Sequence, residues 1–479
     1  MDNKKSTNVI SIVLNYFLIP LVSVAASYYI AFWNQREEYN LMFLLPLCFL
    51  FCYELFLKRS FNHFKLFSIS YTIVSAIRYI LTPVLIVLGG RYDGRSAITP
   101  SVDSFILAFI LMIAELFICS FMIWMLNKKL SVVKERNESD TIIFPEHWIA
   151  YFVFIAITVV LAALRPNTLS AFSVIQPNEN LFNYSDFDIM DQIIILCLSV
   201  AKNVLTLIVL SFCYKKHLNR HGIIWVILSF CVVIANSSIY FGTNRFDFLL
   251  NLIASTILFC LLYKRYRRVA IIIMSILGVV GFSLITQARS LRGAISNDNE
   301  FYQTADLAQM YFGGPYNVAI SIETATAFPE GRNIKTAVYD CTRSIIGVNI
   351  LARNMKGVEL SSTYYNRRIF GNSHSSQIMP MIGEGYYLFG AFLSPILDIL
   401  FIFIAYFMMK SGKSTNIEIG FFFIITFVRL GFINCQSATI QLNDLSFNLF
   451  LPLVLAFMNG LIRTNRTVKE LANAQQEIA

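Results

Sequence analysis

The sequence predicts an all-α, polytopic integral membrane protein with about twelve transmembrane helices and both termini cytoplasmic. Three observations predict it. Apolar types make up 56% of the 479 residues and charged types only 14%, against roughly 25% charged in an average soluble domain. The mean hydropathy of +0.62 is too high for a chain whose surface faces water. The formal charge of +9 comes largely from clusters that flank apolar runs in alternation. Together these exclude an ordinary soluble enzyme, a disordered chain and a nucleic-acid binder with a basic face.

A span needs about 20 apolar residues. Candidate runs fall at 9–33, 41–57, 66–88, 104–126, 148–164, 190–214, 222–241, 246–263, 269–286, 382–409, 417–433 and 447–462. The first follows Lys4 and Lys5 but continues through Tyr28, Tyr29 and Phe32. That is too long for a signal-peptide core, so it is read as a retained helix. With the N-terminus inside, the inner loops carry Lys58, Arg59 and Lys65; Lys128, Lys129, Lys134 and Arg136; Lys215, Lys216 and Arg220; Lys264, Arg265, Arg267 and Arg268; and Lys410 and Lys413. The short outer loops carry only Arg36, Arg91, Arg95, Arg165 and Arg245. Basic residues are retained on the cytoplasmic side, and a missed or invented span would break this alternation.

The chain is read as a single transmembrane domain over 1–479, with a second external loop at 165–189 and a cytoplasmic tail at 463–479. Residues 287–381 form one large periplasmic or extracellular loop, too long for a bare connection. Within it 300–312 and 316–327 have helix-compatible patterns and are expected as a cap over the membrane domain. Most of the nine cysteines lie in or beside apolar spans and read as small core residues. Cys341 and Cys435 both fall outside, so a disulfide between them is one option.

Ionisable residues inside spans are costly and usually have a purpose. Arg78 and Glu115 lie at matching depths, roughly 15 Å below the outer ends of spans three and four, and are expected to form a structural ion pair. Lys202 and Asp398 are also mid-span and form a second candidate pair. On the outer face Arg245, Arg289, Arg292, Arg367 and Arg368 cluster at the ends of apolar runs, with Arg429 near the outer end of span eleven. The only outer lysines are Lys335 and Lys356. Guanidinium forks suit phosphate oxygens, while snorkelling to the interface is the bland alternative.

The most informative stretch runs Asn372-Ser373-His374-Ser375-Ser376-Gln377-Ile378-Met379-Pro380-Met381-Ile382-Gly383-Glu384-Gly385. His374, the histidine of the outer face, precedes by ten residues a carboxylate where the chain re-enters the membrane. Gly383, Gly385 and Gly390 allow close backbone approach there. A histidine works as a general base near neutral pH, and a partly desolvated carboxylate can do so too. As structural groups, His374 would stabilise a loop and Glu384 a helix N-terminus.

A histidine about ten residues ahead of Glu384-Gly385, after a long outer loop and a span ending in arginines, resembles the Wzy-type polymerases of bacterial O-antigen and capsular polysaccharide. The layout is also similar to that of the related ligases over nearly the whole chain. The arginine-to-glycine signature of some members is not found in this loop. The resemblance implies a GT-C-like glycosyltransferase of the bacterial cytoplasmic membrane, with its active site on the outer face. It implies inverting transfer of a growing glycan from undecaprenyl diphosphate onto a lipid-linked oligosaccharide repeat unit, without metal or other cofactor. A chain-length regulator is a candidate partner. The arginines would then stabilise the leaving diphosphate, His374 and then Glu384 would be the candidate bases, and Tyr364, Tyr365, Tyr386 and Tyr387 would stack on sugars. A flippase or other polytopic transporter is the alternative, although such folds usually show internal repeats and short loops.

Overall fold

The structure is a computed structural model. It describes residues 17–61, 65–90, 94, 96, 99–134, 144–174, 187–242, 245–290, 300–345, 347–352, 355, 357–371, 377–411 and 416–461. In chain order the helices are α1 Ile19–Trp33, α2 Glu37–Ser60, α3 Lys65–Leu88, α4 Val102–Lys134, α5 Ile149–Leu164, α6 Ile189–Arg220, α7 Ile223–Ser238, α8 Arg245–Leu262 and α9 Arg267–Ser290. There follow α10 Glu300–Phe312, α11 Pro315–Ala327, α12 Ile334–Ser344, α13 Ser361–Phe370, α14 Met381–Phe389, α15 Ile396–Lys410, α16 Ile417–Leu430 and α17 Ala438–Leu461.

Six helical stretches among the described residues are long and apolar enough to cross a membrane: α2, α3, α4, α6, the 264–285 stretch containing α9, and α17. The helices α1, α5, α7 and most of α8 are apolar but shorter. Large apolar side chains stand outward on them, among them Ile110 and Phe117 on α4, Val159 and Val160 on α5, and Val279 on α9. A row of such side chains is solvated by lipid tails and not by water. The architecture is consistent with an all-α membrane protein.

The chain, expected as one membrane domain, divides by its contacts into two compact units. The first comprises residues 1–138, 296–410 and 429–444, the second 139–295, 411–428 and 445–479. In the second, α5 to α9 pack each against the next. A two-stranded antiparallel sheet pairs β1 (Phe172–Val174) with β2 (Ile239–Phe241), in the register Phe172↔Phe241 and Ser173↔Tyr240. Arg165 binds Asp188, whose side chain caps α6 by accepting from Asp191 N–H. Lys202 of α6 donates to the carbonyls of Asn236, at 3.2 Å, and Ile239, at 2.6 Å. Lys202 belongs to the second unit and Asp398, its candidate partner from the sequence, to the first. The last carbonyls of α7 have no intrahelical donor, and the ammonium group supplies one. Replacing Lys202 with methionine leaves these carbonyls unmet and should cost about 1–3 kcal/mol. Thermal unfolding in detergent reads the loss, and an unchanged melting temperature would show the contact to be dispensable.

The first unit departs from the sequence expectation at one candidate span. The run at 382–409 is not one span. It breaks at Gly390, whose φ of +81° favours glycine, into α14 and α15. Nine residues of α14 rise only about 14 Å, so α14 does not span. The break is tight, because a Cβ on Gly385 would collide with the Ser394 carbonyl.

Both helices expected within 287–381 form, as α10 and α11. Helix α11 packs along α4 and against α14, α10 packs on the end of α3, and most of α11 is buried. Pro315 starts α11 at the position where a missing N–H costs nothing. Its hydroxyls return to its own backbone, Ser321 to Asn317 O at 2.9 Å and Thr324 to Ile320 O at 2.8 Å. A helix of small, partly polar residues is thus buried with its hydroxyls satisfied. The disulfide left open between Cys341 and Cys435 is not formed; both thiols are free, Cys341 exposed on α12 and Cys435 buried in a turn beside Gly313.

Candidate functional site

The first unit holds a buried polar core built around Arg78. Residues 77–81 form a single widened turn in α3, a distortion that recurs at functional positions. Arg78 is fully buried. It pairs with Glu115 Oε2 of α4 at 2.9 Å. Its Nε donates to Gly313 O at 3.0 Å, in the turn between α10 and α11, and its Nη1 donates to Asn434 O at 2.5 Å, in the turn before α17. Neither the Gly313 carbonyl nor that of Asn434, in the single 3-10 turn Ile433–Cys435, receives a backbone N–H among the described residues, so each needs another donor. One guanidinium fork serves both and neutralises a carboxylate as well. The Tyr79 hydroxyl lies 3.0 Å from Glu115 Oε2 and 2.9 Å from Met112 O. Asn434 Nδ2 donates to the Tyr71 hydroxyl at 3.0 Å.

Asp398, in the first turn of α15, is fully buried and feels the charges of Glu115 and Arg78. Among the described residues neither of its oxygens has a hydrogen-bond partner, and the same holds for Arg78 Nη2, Glu115 Oε1 and Asn434 Oδ1. The core therefore sets one cation against two carboxyl groups and keeps unused bonding capacity, which suits ordered water or a polar substrate group.

A second carboxyl pair lies in the helices between the spans. Glu384 of α14 accepts from Ser361 Oγ at 3.2 Å and from Ala438 N–H, at the start of α17, at 2.5 Å. Asp340 of α12 accepts from Ser361 N–H at 3.2 Å, and its Oδ2 has no partner among the described residues. Ser361 thus bridges the two, with its backbone to one and its hydroxyl to the other. Burial pushes the Asp340 carboxyl up to about 7, its bonds to Ser361 opposing. Burial and then repulsion from Asp340 push Glu384 up to about 8, against its bonds to Ala438 and Ser361. Both acids hold their protons far above the ordinary carboxylate range.

The remaining predicted residues are placed as follows. Arg367 binds Glu359 at 2.8 Å and stacks over Phe328 and Tyr364. Arg368 pairs with Glu323 and donates to Ser96 Oγ at 3.0 Å. Arg429 pairs with Asp444. Each of these three arginines already faces a carboxylate. Arg245 opens α8 and Arg289 lies in the last turn of α9; His374 and Arg292 lie outside the described residues. Tyr365 and Tyr387 are fully buried, so they cannot stack on a sugar in this conformation. The Tyr387 hydroxyl donates instead to Phe328 O at 3.1 Å.

Asp340, Ser361, Tyr79, Gly313 and Asn434 escaped the sequence reading. The signals were Gly313-Gly314-Pro315 and the short polar break Asn434-Cys435-Gln436-Ser437, each interrupting an otherwise helical pattern. No protein-family model, curated protein or solved structure matches the chain.

Proposed function

We propose that the chain is a membrane glycosyltransferase that polymerises lipid-linked oligosaccharide repeat units, a Wzy-type polymerase of twelve spans acting on the outer face of a bacterial cytoplasmic membrane. The observation that carries this reading is a reciprocal clamp. Asn366 Oδ1 accepts from Gln377 N–H at 2.8 Å, and Asn366 Nδ2 donates to Gln377 O at 3.0 Å. Gln377, three residues after His374 in the sequence, is therefore held on α13, the helix that carries Arg367 and Arg368 and, at its first residue, bridges Asp340 and Glu384. Two guanidinium groups and the serine that bridges the buried acid pair thus belong to the helix that precedes the candidate base in the sequence.

In the proposed reaction the hydroxyl of an incoming repeat unit attacks the anomeric carbon of the growing glycan. The bond from that carbon to the diphosphate breaks, and the diphosphate leaves with the electron pair, stabilised by guanidinium groups released from Glu359 and Glu323. The hydroxyl proton passes to His374. Glu384 is wholly buried and holds its proton, so it supports α13 through Ser361 and does not meet the sugar.

Purified protein in lipid with undecaprenyl-diphosphate-linked repeat units alone should form a ladder of products, and His374→Ala and Arg292→Ala should abolish it while leaving expression intact. A verified preparation that forms no ladder removes the polymerase reading. Transport of the lipid-linked oligosaccharide is the second reading, favoured by the unpartnered Asp398. Cells lacking the protein would then accumulate repeat units on the cytoplasmic face and not single units on their acceptor.

A further inference from the structure

The second unit contains a cavity unrelated to the groups above, of about 320 Å³, where the end of α6 meets the connection from α8 to α9. Water occupies roughly 30 Å³ per molecule, so the cavity has room for a small charged group. It is lined by Tyr214, His217, His221, Tyr263, Lys264 and Arg265, with Leu218 and Tyr266 at its margin and no carboxylate among its lining residues.

The walls are built and held. The Tyr263 ring lies 5.4 Å from His217 and 5.5 Å from Tyr214, and its hydroxyl lies 2.7 Å from Ser229 Oγ. His217 Nδ1 lies 3.1 Å from Gly222 O, so that nitrogen carries the hydrogen and Nε2 is left for another contact. His221 ends α6 in the left-handed region at φ +46°, a conformation uncommon outside glycine.

Retention of basic residues on the inner face accounts for the location of these charges, but no described carboxylate pairs with them. Among the described residues Lys264, Arg265, Arg267 and Arg268 make no ion pair, whereas Arg78, Arg165, Arg367, Arg368 and Arg429 all do. Arg267 and Arg268 open α9 with no acidic residue in its first turn, where the helix dipole disfavours cations. An anion at the cavity would offset both. Beside the polar lining, Leu218, Ile223, Ile224 and Leu261 are exposed apolar side chains, a surface that fits acyl chains.

We propose that this cavity binds the phosphate of an anionic phospholipid headgroup, with Lys264 and Arg265 as the charged donors and His217 and the tyrosines completing the site. Basic pockets between transmembrane helices are a general solution for such headgroups. The assignment is independent of the polymerase reading.

The test uses the intact protein in phosphatidylcholine nanodiscs, titrated with phosphatidic acid and followed by native mass spectrometry of retained lipid. Wild type should retain phosphatidic acid selectively, and Lys264→Gln with Arg265→Gln should weaken retention at least about tenfold. Arg165→Gln, at an exposed ion pair elsewhere, should leave it unchanged. Both cavity residues are exposed, and the single variants, each with an unfolding profile, keep the test decisive if the double variant folds poorly. Displacement by millimolar inorganic phosphate supports a phosphate site and identifies the soluble anion as sufficient. Equal retention by wild type and the cavity variants overturns the proposal.

Discussion

Arg78→Met should be the most damaging single substitution in the protein, costing the first unit about 3–5 kcal/mol, the range for breaking a buried ion pair from one side. Methionine roughly fills the volume, so the loss is electrostatic and not a cavity. Glu115 would remain fully buried with only the Tyr79 hydroxyl, next to Asp398, which has no partner of its own among the described residues. The Gly313 and Asn434 carbonyls would each lose a donor, at about 1–3 kcal/mol for an acceptor left unmet in the interior. These costs overlap because the groups share one network. The expected result is a large fall in yield and in the unfolding midpoint in detergent. Tyr79→Phe, which removes one hydroxyl near the same carboxylate, should cost far less. A midpoint for Arg78→Met within a degree or two of wild type would show that the two turns are held by packing alone. Adding Glu115→Leu to Arg78→Met should recover part of the loss, because it removes one of the stranded charges.

How much of this core could be read beforehand depends on what kind of group each contact uses. Arg78 and Glu115 stand out because charges inside apolar runs are rare, and matching depths in sequential spans imply proximity. The structure joins them directly. The contacts of Arg78 to Gly313 and Asn434 could not be read, because a backbone carbonyl in a turn has no residue-type signature. The helical pattern of α11 was legible over 316–327, but its burial escaped for a related reason. Hydropathy identifies long apolar runs, whereas α11 is buried through Ala, Ser and Thr side chains that satisfy themselves locally. The run at 382–409 misled in the opposite direction. It is apolar apart from Glu384 and Asp398, and Gly390 in a glycine-favouring conformation ends α14. The outer arginines were legible as a group, but their carboxylates were not. Glu359 lies eight residues from Arg367, while Glu323 is forty-five residues from Arg368 and reaches it only because α11 packs on α13.

The Asp340–Glu384 pair should make stability fall as pH rises. In the unfolded chain these acids ionise near 3.8 and 4.5, and in the folded chain near 7 and 8. Between those limits the native state binds more protons than the unfolded one, so the slope of unfolding free energy against pH is negative. The contribution is therefore fully present below about pH 4 and is lost progressively as pH rises through 7 to 8. This is the reverse of a carboxylate held by a cation. A protonated Glu384 can donate to Ser361 Oγ while its other oxygen accepts from Ala438 N–H, and Glu384→Gln reproduces that arrangement with no titratable proton. Glu384→Gln should therefore fold, and it should flatten the decline of the unfolding midpoint between pH 5 and 8. Asp340→Asn keeps an acceptor for Ser361 N–H and removes the like charge, so it should move the remaining titration of Glu384 toward lower pH. Unfolding midpoints over this range for the three proteins decide it. Parallel curves would mean that the acids are solvated and that the bridge through Ser361 does not couple them. Because Ser361, which bridges the pair, lies on the same helix as Asn366, Arg367 and Arg368, loss of product formation by Glu384→Gln at a pH where it is as stable as wild type would assign the pair an electrostatic role in the reaction, separate from its role in the fold.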